Sequence, residues 1–346
     1  MTKFKKFTLF IAICALLVLV LSTLIFSSCK DTKKDENEPM SFIIEELYTT
    51  NGELNIYGKI YIPTKASETE KFPAVVLSHS ANLTADSMNA YCIGFAERGY
   101  VAYAFDFCGG SSNSRSDGST QDMTIFTEMD DLKAVINTIK NLDYVNPNKL
   151  FLFGTSQGGL VSALVANDIY DEISGLILLY PAFNIPEIAS NFLNNSGNFG
   201  ALGFSSYGEK FINTIKDYDV YANIANFTGD VLIIHGSNDF IVNKEYSQKA
   251  ADIYHNCQLY IIDGATHGFN NENLSYLGID MSSLFGNYDN EVWSYIDTYL
   301  NAFIWFLVTI TTNFPKCFRL IRYHISLRDN IAFSCNFPYW VSCFFV

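Results

Sequence analysis

Leu150-Phe151-Leu152-Phe153-Gly154-Thr155-Ser156-Gln157-Gly158 is an apolar run ending in a serine with a glycine two places to either side. The run reads as a buried strand, and Gly159-Leu160-Val161-Ser162-Ala163-Leu164-Val165-Ala166 beyond it reads as a helix. A serine at such a junction sits on a sharp strand-to-helix turn, in a strained backbone conformation above the end of a parallel strand. Strand and helix then pass close together, which the glycines allow because they carry no Cβ. The G-x-S-x-G spacing alone also arises by chance, so its meaning comes from the strand before it and the helix after it.

A serine hydroxyl is a weak nucleophile at neutral pH and needs a histidine base, itself oriented by a carboxylate. Asp239 follows the apolar strand Val231-Leu232-Ile233-Ile234-His235-Gly236. His267 stands in the glycine-bracketed loop after a further apolar strand, in Ile261-Ile262-Asp263-Gly264-Ala265-Thr266-His267-Gly268-Phe269. The chain order Ser156, Asp239, His267 is the serine, acid, histidine order of α/β-hydrolases and differs from those of chymotrypsin and subtilisin. Asp263, before Gly264, reads as a turn former, while His235 in its strand and His255 at a helix end read as structural. The tetrahedral intermediate needs two backbone donors. Gln157, after the nucleophile, supplies one, and Ala81, after the strand in Pro73-Ala74-Val75-Val76-Leu77-Ser78-His79-Ser80-Ala81, is the candidate for the other. As the alternative, His79 and Ala81 are ordinary residues of a connecting loop.

Along the chain, Phe42 to Pro63 predicts a hairpin about Asn51-Gly52. Further strands are expected near Ala74–Ser78, Val101–Phe107, Leu150–Phe153, Gly175–Tyr180, Val231–His235 and Gln258–Ile262. Helical patterns separate them at Asp86–Arg98, Met123–Asn141, Gln157–Ala166, Lys244–His255 and Asn290–Asn301. This alternation predicts an α/β fold with a mostly parallel sheet and helices on both faces. Residues 183–228 are too long for a simple crossover and carry Phe192, Phe199, Phe204, Tyr207, Phe211 and Tyr218. They predict a small cap, whose aromatics either line an acyl pocket or anchor the cap to the sheet.

These landmarks together resemble the α/β-hydrolase superfamily, and within it the bacterial cinnamoyl or feruloyl esterases and the dienelactone-hydrolase-like serine hydrolases. The resemblance runs from about Phe42 to Asn301 and rests on Leu77-Ser78-His79-Ser80-Ala81, Phe105-Asp106-Phe107-Cys108-Gly109-Gly110-Ser111, Gly154 to Gly159, Ile234 to Asp239 and Gly264 to Phe269. It implies ester hydrolysis through an acyl-enzyme on Ser156 and favours small or aromatic-acid esters. That family usually carries glycine after the loop histidine. Here Ser80 takes that place, so a Cβ is expected to crowd a tight loop. A serine peptidase of prolyl-oligopeptidase type, or a binding protein that keeps the fold without turnover, are the alternatives.

The 346 residues, 49% hydrophobic and 15% aromatic, suffice for a full core in one catalytic domain, residues 41–302. A net charge of -14 argues against a nucleic-acid partner. No cofactor is called for, and Cys92, Cys108 and Cys257 in the domain have no metal-ligand spacing, so no metal is expected.

Residues 1–29 resemble a lipoprotein signal: Lys3, Lys5 and Lys6, an uncharged run from Phe7 to Phe26, then Ser27-Ser28-Cys29. Acylation of Cys29, with residues 30–40 as a polar linker, would place the enzyme at the cell membrane on its extracytoplasmic face. An uncleaved membrane-spanning helix is the alternative. The tail, residues 303–346, has no glycine and a single acidic residue, Asp329. This abrupt change of composition reads as non-native, or else as a membrane-surface segment.

Overall fold

The computed structural model describes residues 38–195, 207–269 and 288–301. The signal with Cys29, most of the linker, residues 196–206 with Phe199 and Phe204, and the tail lie outside them. Strands β1 (Phe42–Asn51) and β2 (Leu54–Pro63) form the expected hairpin, and β3 (Phe72–Ser78) follows. A short 3₁₀ turn, Ala85–Met88, leads into α1 (Asn89–Glu97), then β4 (Val101–Phe105), α2 (Ile125–Lys140), β5 (Val145–Thr155) and α3 (Ser156–Asp168). After β6 (Gly175–Leu179) come α4 (Ile185–Asn195) and α5 (Glu209–Ile215) in the insertion. The chain continues through β7 (Asp230–Gly236), α6 (Lys244–Ile253), β8 (Asn256–Ile262) and α7 (Asp289–Asn301).

The strands make one eight-stranded sheet in the order β1-β2-β4-β3-β5-β6-β7-β8, antiparallel at β1-β2 and β2-β4 and parallel from β4 to β8. Parallel strands are buried on both faces, so they are apolar throughout rather than alternating. In β7 successive side chains serve opposite faces: Val231 and Ile233 pack with Leu132, Val135 and Leu164 of α2 and α3, while Leu232 and Ile234 join Phe95 of α1 and Tyr299 of α7. The Tyr299 hydroxyl fastens α7 to the sheet, donating to the Asp230 carbonyl at 2.8 Å and accepting the Leu176 N–H at 3.0 Å.

Strand order reverses at β3, which lies between β4 and β5. Connections leave toward opposite faces there and open a crevice above the carboxyl ends of β3 and β5, where open α/β sheets place their ligands. The loops carrying Ala81 and Ser156 both start at that crevice.

Candidate active site

At the end of β5 the chain turns directly into α3, and Ser156 takes φ +49, a left-handed conformation that costs a non-glycine residue energy. The flanking glycines permit this turn for a steric reason. A Cβ on Gly154 would lie 2.4 Å from the Gly158 carbonyl oxygen, and one on Gly158 would lie 2.3 Å from that of Ser78 and 2.5 Å from that of His79. The helix start therefore rests against the end of β3, bringing the Ser80–Asn82 loop beside the serine.

Ser156, His267 and Asp239 converge although 111 and 28 residues separate the pairs. His267 Nε2 lies 3.0 Å from Ser156 Oγ, and His267 Nδ1 lies 2.7 Å from Asp239 Oδ2. Since the carboxylate can only accept, Nδ1 carries the proton and Nε2 is left to accept from the serine hydroxyl. Asp239 is itself tightly held, with Oδ1 accepting the N–H groups of Ile241 at 2.9 Å and Val242 at 2.8 Å. Burial pushes its carboxyl up, but hydrogen bonds from His235, His267 and the Val242 backbone, with the charge of His267, hold it well below the usual carboxylate range.

His235 does more than fill its strand. Its Nε2 lies 2.8 Å from the Val242 carbonyl and 3.1 Å from Asp239 Oδ2, so one N–H is shared between two acceptors, while Nδ1 faces Ser247 Oγ at 2.7 Å. The pattern of apolar residues signals its burial but not its acceptor. Tyr180, likewise unmarked in the sequence, sets its ring edge-on to the His267 imidazole at 4.6 Å and to Phe269 at 4.9 Å. Among the described residues, the non-glycine positions with positive φ are Asn82, Ser156, Tyr180 and Phe269. All four lie in this one site, which is where folded chains tolerate stored strain.

The two candidate oxyanion donors flank the serine. Gln157 is in the first turn of α3, where N–H groups have no intrahelical acceptor. Ala81 is in the loop after β3, which His79 shapes by bonding the Ser80 carbonyl through Nδ1 at 2.8 Å and accepting the Phe107 N–H on Nε2 at 3.3 Å. Burial pushes the His79 imidazole down, which suits this neutral form. Ser80 does not take a positive φ, and its Oγ lies 2.9 Å from Thr155 Oγ1, joining the loop to the elbow.

Asp106, fully buried, organises the opposite wall by accepting the backbone N–H groups of Ala85 and Arg115 at 2.7 and 2.8 Å and the Arg115 guanidinium at 3.0 and 3.1 Å. In the insertion, Tyr207 and Phe211 are buried and their rings meet at a tilt with centroids 4.8 Å apart, so these aromatics anchor it to the core. Tyr218 instead joins Phe183, Tyr221, Tyr246 and Lys249 around a cavity of about 300 Å³.

A strained serine at the switch point of a mostly parallel sheet, facing a histidine and a carboxylate in this order, decides the fold family. The chain has the α/β-hydrolase fold. The family described as serine aminopeptidase, S33, matches residues 69–202 of the chain. Est1E from Butyrivibrio proteoclasticus, solved with ferulic acid bound, superimposes with a TM-score of 0.61 at 24% identity, over 74% of this chain and 98% of that one. The Escherichia coli K12 protein YcjY is 28% identical over 46% of this chain and 52% of its own length. Caffeoylshikimate esterase of Arabidopsis thaliana is 31% identical over 41% of this chain and 46% of its own. The chain thus spans about half the length of these curated relatives.

Proposed function

We propose that this α/β-hydrolase is a serine-dependent carboxylic ester hydrolase acting through an acyl-enzyme. The observation that carries the reading is the unbroken relay from Ser156 Oγ to His267 to Asp239, at 3.0 and 2.7 Å, with the serine held at φ +49. Ser156 Oγ attacks the ester carbonyl while His267 Nε2 takes its proton, and Asp239 stabilises the imidazolium. The backbone N–H groups of Gln157 and Ala81 bond the oxyanion. As the intermediate collapses, His267 returns the proton to the departing alcohol. Water, deprotonated by His267, then attacks the acyl-enzyme, and the carboxylic acid leaves as Ser156 recovers its proton.

Small aromatic-acid esters are the favoured substrates. Est1E binds ferulic acid and the Arabidopsis relative is named for a caffeoyl ester, which supports an aromatic acyl group. The test is hydrolysis of p-nitrophenyl and hydroxycinnamate esters by the full chain and its Ser156→Ala variant. Turnover is expected to fall on the order of a million-fold in the variant, as for other catalytic serines. The aminopeptidase description of the matching family favours a second reading, a serine peptidase, which faster cleavage of peptide amides than of matched esters would establish. A folded chain whose Ser156 resists a fluorophosphonate and turns over neither substrate class would be a binding protein.

The N-terminal sequence supports attachment to the membrane through a lipid on Cys29, with the enzyme outside the cytoplasm. Incorporation of labelled fatty acid that is lost in Cys29→Ala tests this, and equal labelling of the variant sinks it.

A further inference from the structure

Glu128 has no part in the chemistry above, yet it is 1% exposed and lies behind the residue that follows the nucleophile. A capping box at Thr124 and Thr127 starts α2, placing Glu128 in its first turn. Both carboxyl oxygens then stand 2.9 Å from Gln157 Nε2. The Tyr207 hydroxyl, from the insertion, is 3.4 Å from that same nitrogen and from the Gly110 carbonyl, and it accepts the backbone N–H of Asn82 at 3.1 Å. One buried hydroxyl thus touches the side chain of one oxyanion residue, Gln157, and the backbone next to the other, Ala81.

We infer that Glu128, Gln157 and Tyr207 form a buried brace that sets the oxyanion donors against Ser156, with Glu128 serving as an uncharged positioning residue. The inference rests on the ester-hydrolase reading. The titratable groups that bear on Glu128 are Asp131 of its own helix and Tyr207 from the insertion, and among the described residues no lysine or arginine pairs with it. Burial, against the Gln157 hydrogen bond and helped by the charge of Asp131, pushes its carboxyl up to about 8. Gln157 Oε1 is buried and has no partner among the described residues. A neutral carboxyl still keeps its carbonyl oxygen to accept the Gln157 Nε2–H, so the brace survives protonation of Glu128. An ionised Glu128 would also set negative charge behind the place where the oxyanion develops, in surroundings that screen it poorly.

The experiment measures kcat and KM against pH for the full chain, Glu128→Gln and Tyr207→Phe on a p-nitrophenyl ester. Wild-type kcat is expected to fall above about pH 8 at constant KM, and Glu128→Gln to keep its neutral kcat within about threefold while losing that fall. Tyr207→Phe is expected to lower kcat about tenfold with KM unchanged. The same alkaline fall in Glu128→Gln, or a Tyr207→Phe loss confined to KM, overturns the inference. An infrared titration of Ser156→Ala, with and without Glu128→Gln, reads the carboxylic C=O stretch without any turnover. A Glu128-dependent acid band at neutral pH supports the uncharged form, and its absence refutes it. If the wild-type chain lacks Ser156-dependent turnover, the ester reading fails while the infrared result still decides the state of Glu128.

Discussion

His235 Nε2 stands 3.1 Å from Asp239 Oδ2, the oxygen that also faces His267. Two imidazoles from different elements therefore share one acceptor, and Asp239 is fixed on its far side by the backbone of its own loop. Removing His235 should loosen the carboxylate that holds the His267 imidazole. His235→Leu is expected to lower kcat about ten- to a hundredfold, the worth of one hydrogen bond to a charged acceptor at about 1.5–3 kcal/mol. Because the Val242 carbonyl and Ser247 hydroxyl lose their partner too, thermal stability should fall with it. His235→Gln, which can donate from nearly the same position, should recover part of kcat. Recovery of stability without kcat would reduce His235 to a packing role.

Replacing the acid itself acts through the tautomer. In Asp239→Asn the amide can offer its N–H to His267 Nδ1, which then accepts, leaving Nε2 protonated and unable to take the serine proton. A loss on the order of ten-thousandfold in kcat is expected, as in other triads with this change, while the fold persists. A variant with near wild-type turnover would remove Asp239 from the mechanism.

The two buried carboxyls of the site should push stability in opposite directions with pH. Asp239 binds its proton more weakly when folded than when unfolded, so its contribution is complete above about pH 4 and fades as pH drops below that value. Glu128 binds its proton more tightly when folded, with a value raised to about 8, so its contribution is complete below about pH 4 and is lost as pH rises toward 8. Melting temperature measured from pH 4 to 9 should therefore decline less steeply toward alkali in Glu128→Gln than in wild type. Parallel curves would contradict the buried neutral acid.

How far the sequence could be read depended on whether a residue announces itself by local pattern. Ser156, Asp239 and His267 each follow an apolar strand, in the turn or loop at its carboxyl end, so the parallel strands already place them at one end of the sheet. Glu128 and His235 have no such mark. A glutamate in an amphipathic helix looks solvated, because carboxylates are seldom buried, and only the packing of α2 on α3 turns it toward Gln157. Tertiary partners also moved element ends. The helix expected from Asp86 opens as a 3₁₀ turn whose Ala85 N–H is held by Asp106, and the strand expected to reach Phe107 stops at Phe105. Beyond that end Asp106 still gives its N–H to the Tyr57 carbonyl of β2 at 2.9 Å, while its carboxylate gathers Arg115.

The elbow depends on backbone contact more than on glycine's flexibility. Gly158→Ala would drive a Cβ to 2.3 Å from the Ser78 carbonyl oxygen, where neither the strand end nor the helix start can give way freely. A stability loss of about 1–3 kcal/mol is expected from such overpacking. Activity should fall further than stability explains, because the strain separates the Ala81 loop from Ser156. Denaturant unfolding and kcat measured on the same preparation check this, and an active variant of wild-type stability would show that the contact is not needed.

Ser80 offers the opposite case. Its hydroxyl reaches Thr155 Oγ1 at 2.9 Å and the Thr155 carbonyl at 3.4 Å, a link from the loop that carries Ala81 to the residue before Ser156 that a glycine cannot make. Ser80→Gly is therefore expected to destabilise the chain by about 1–2 kcal/mol, from one lost hydrogen bond and the added freedom of the unfolded backbone. Ser80→Ala should lose only the hydrogen-bond share, about 1 kcal/mol. Since Ser80 already lies outside the left-handed region, glycine relieves no backbone strain there, and kcat should not rise in either variant. A faster Ser80→Gly enzyme would mean that the Cβ does obstruct the oxyanion site and that the Thr155 link is incidental.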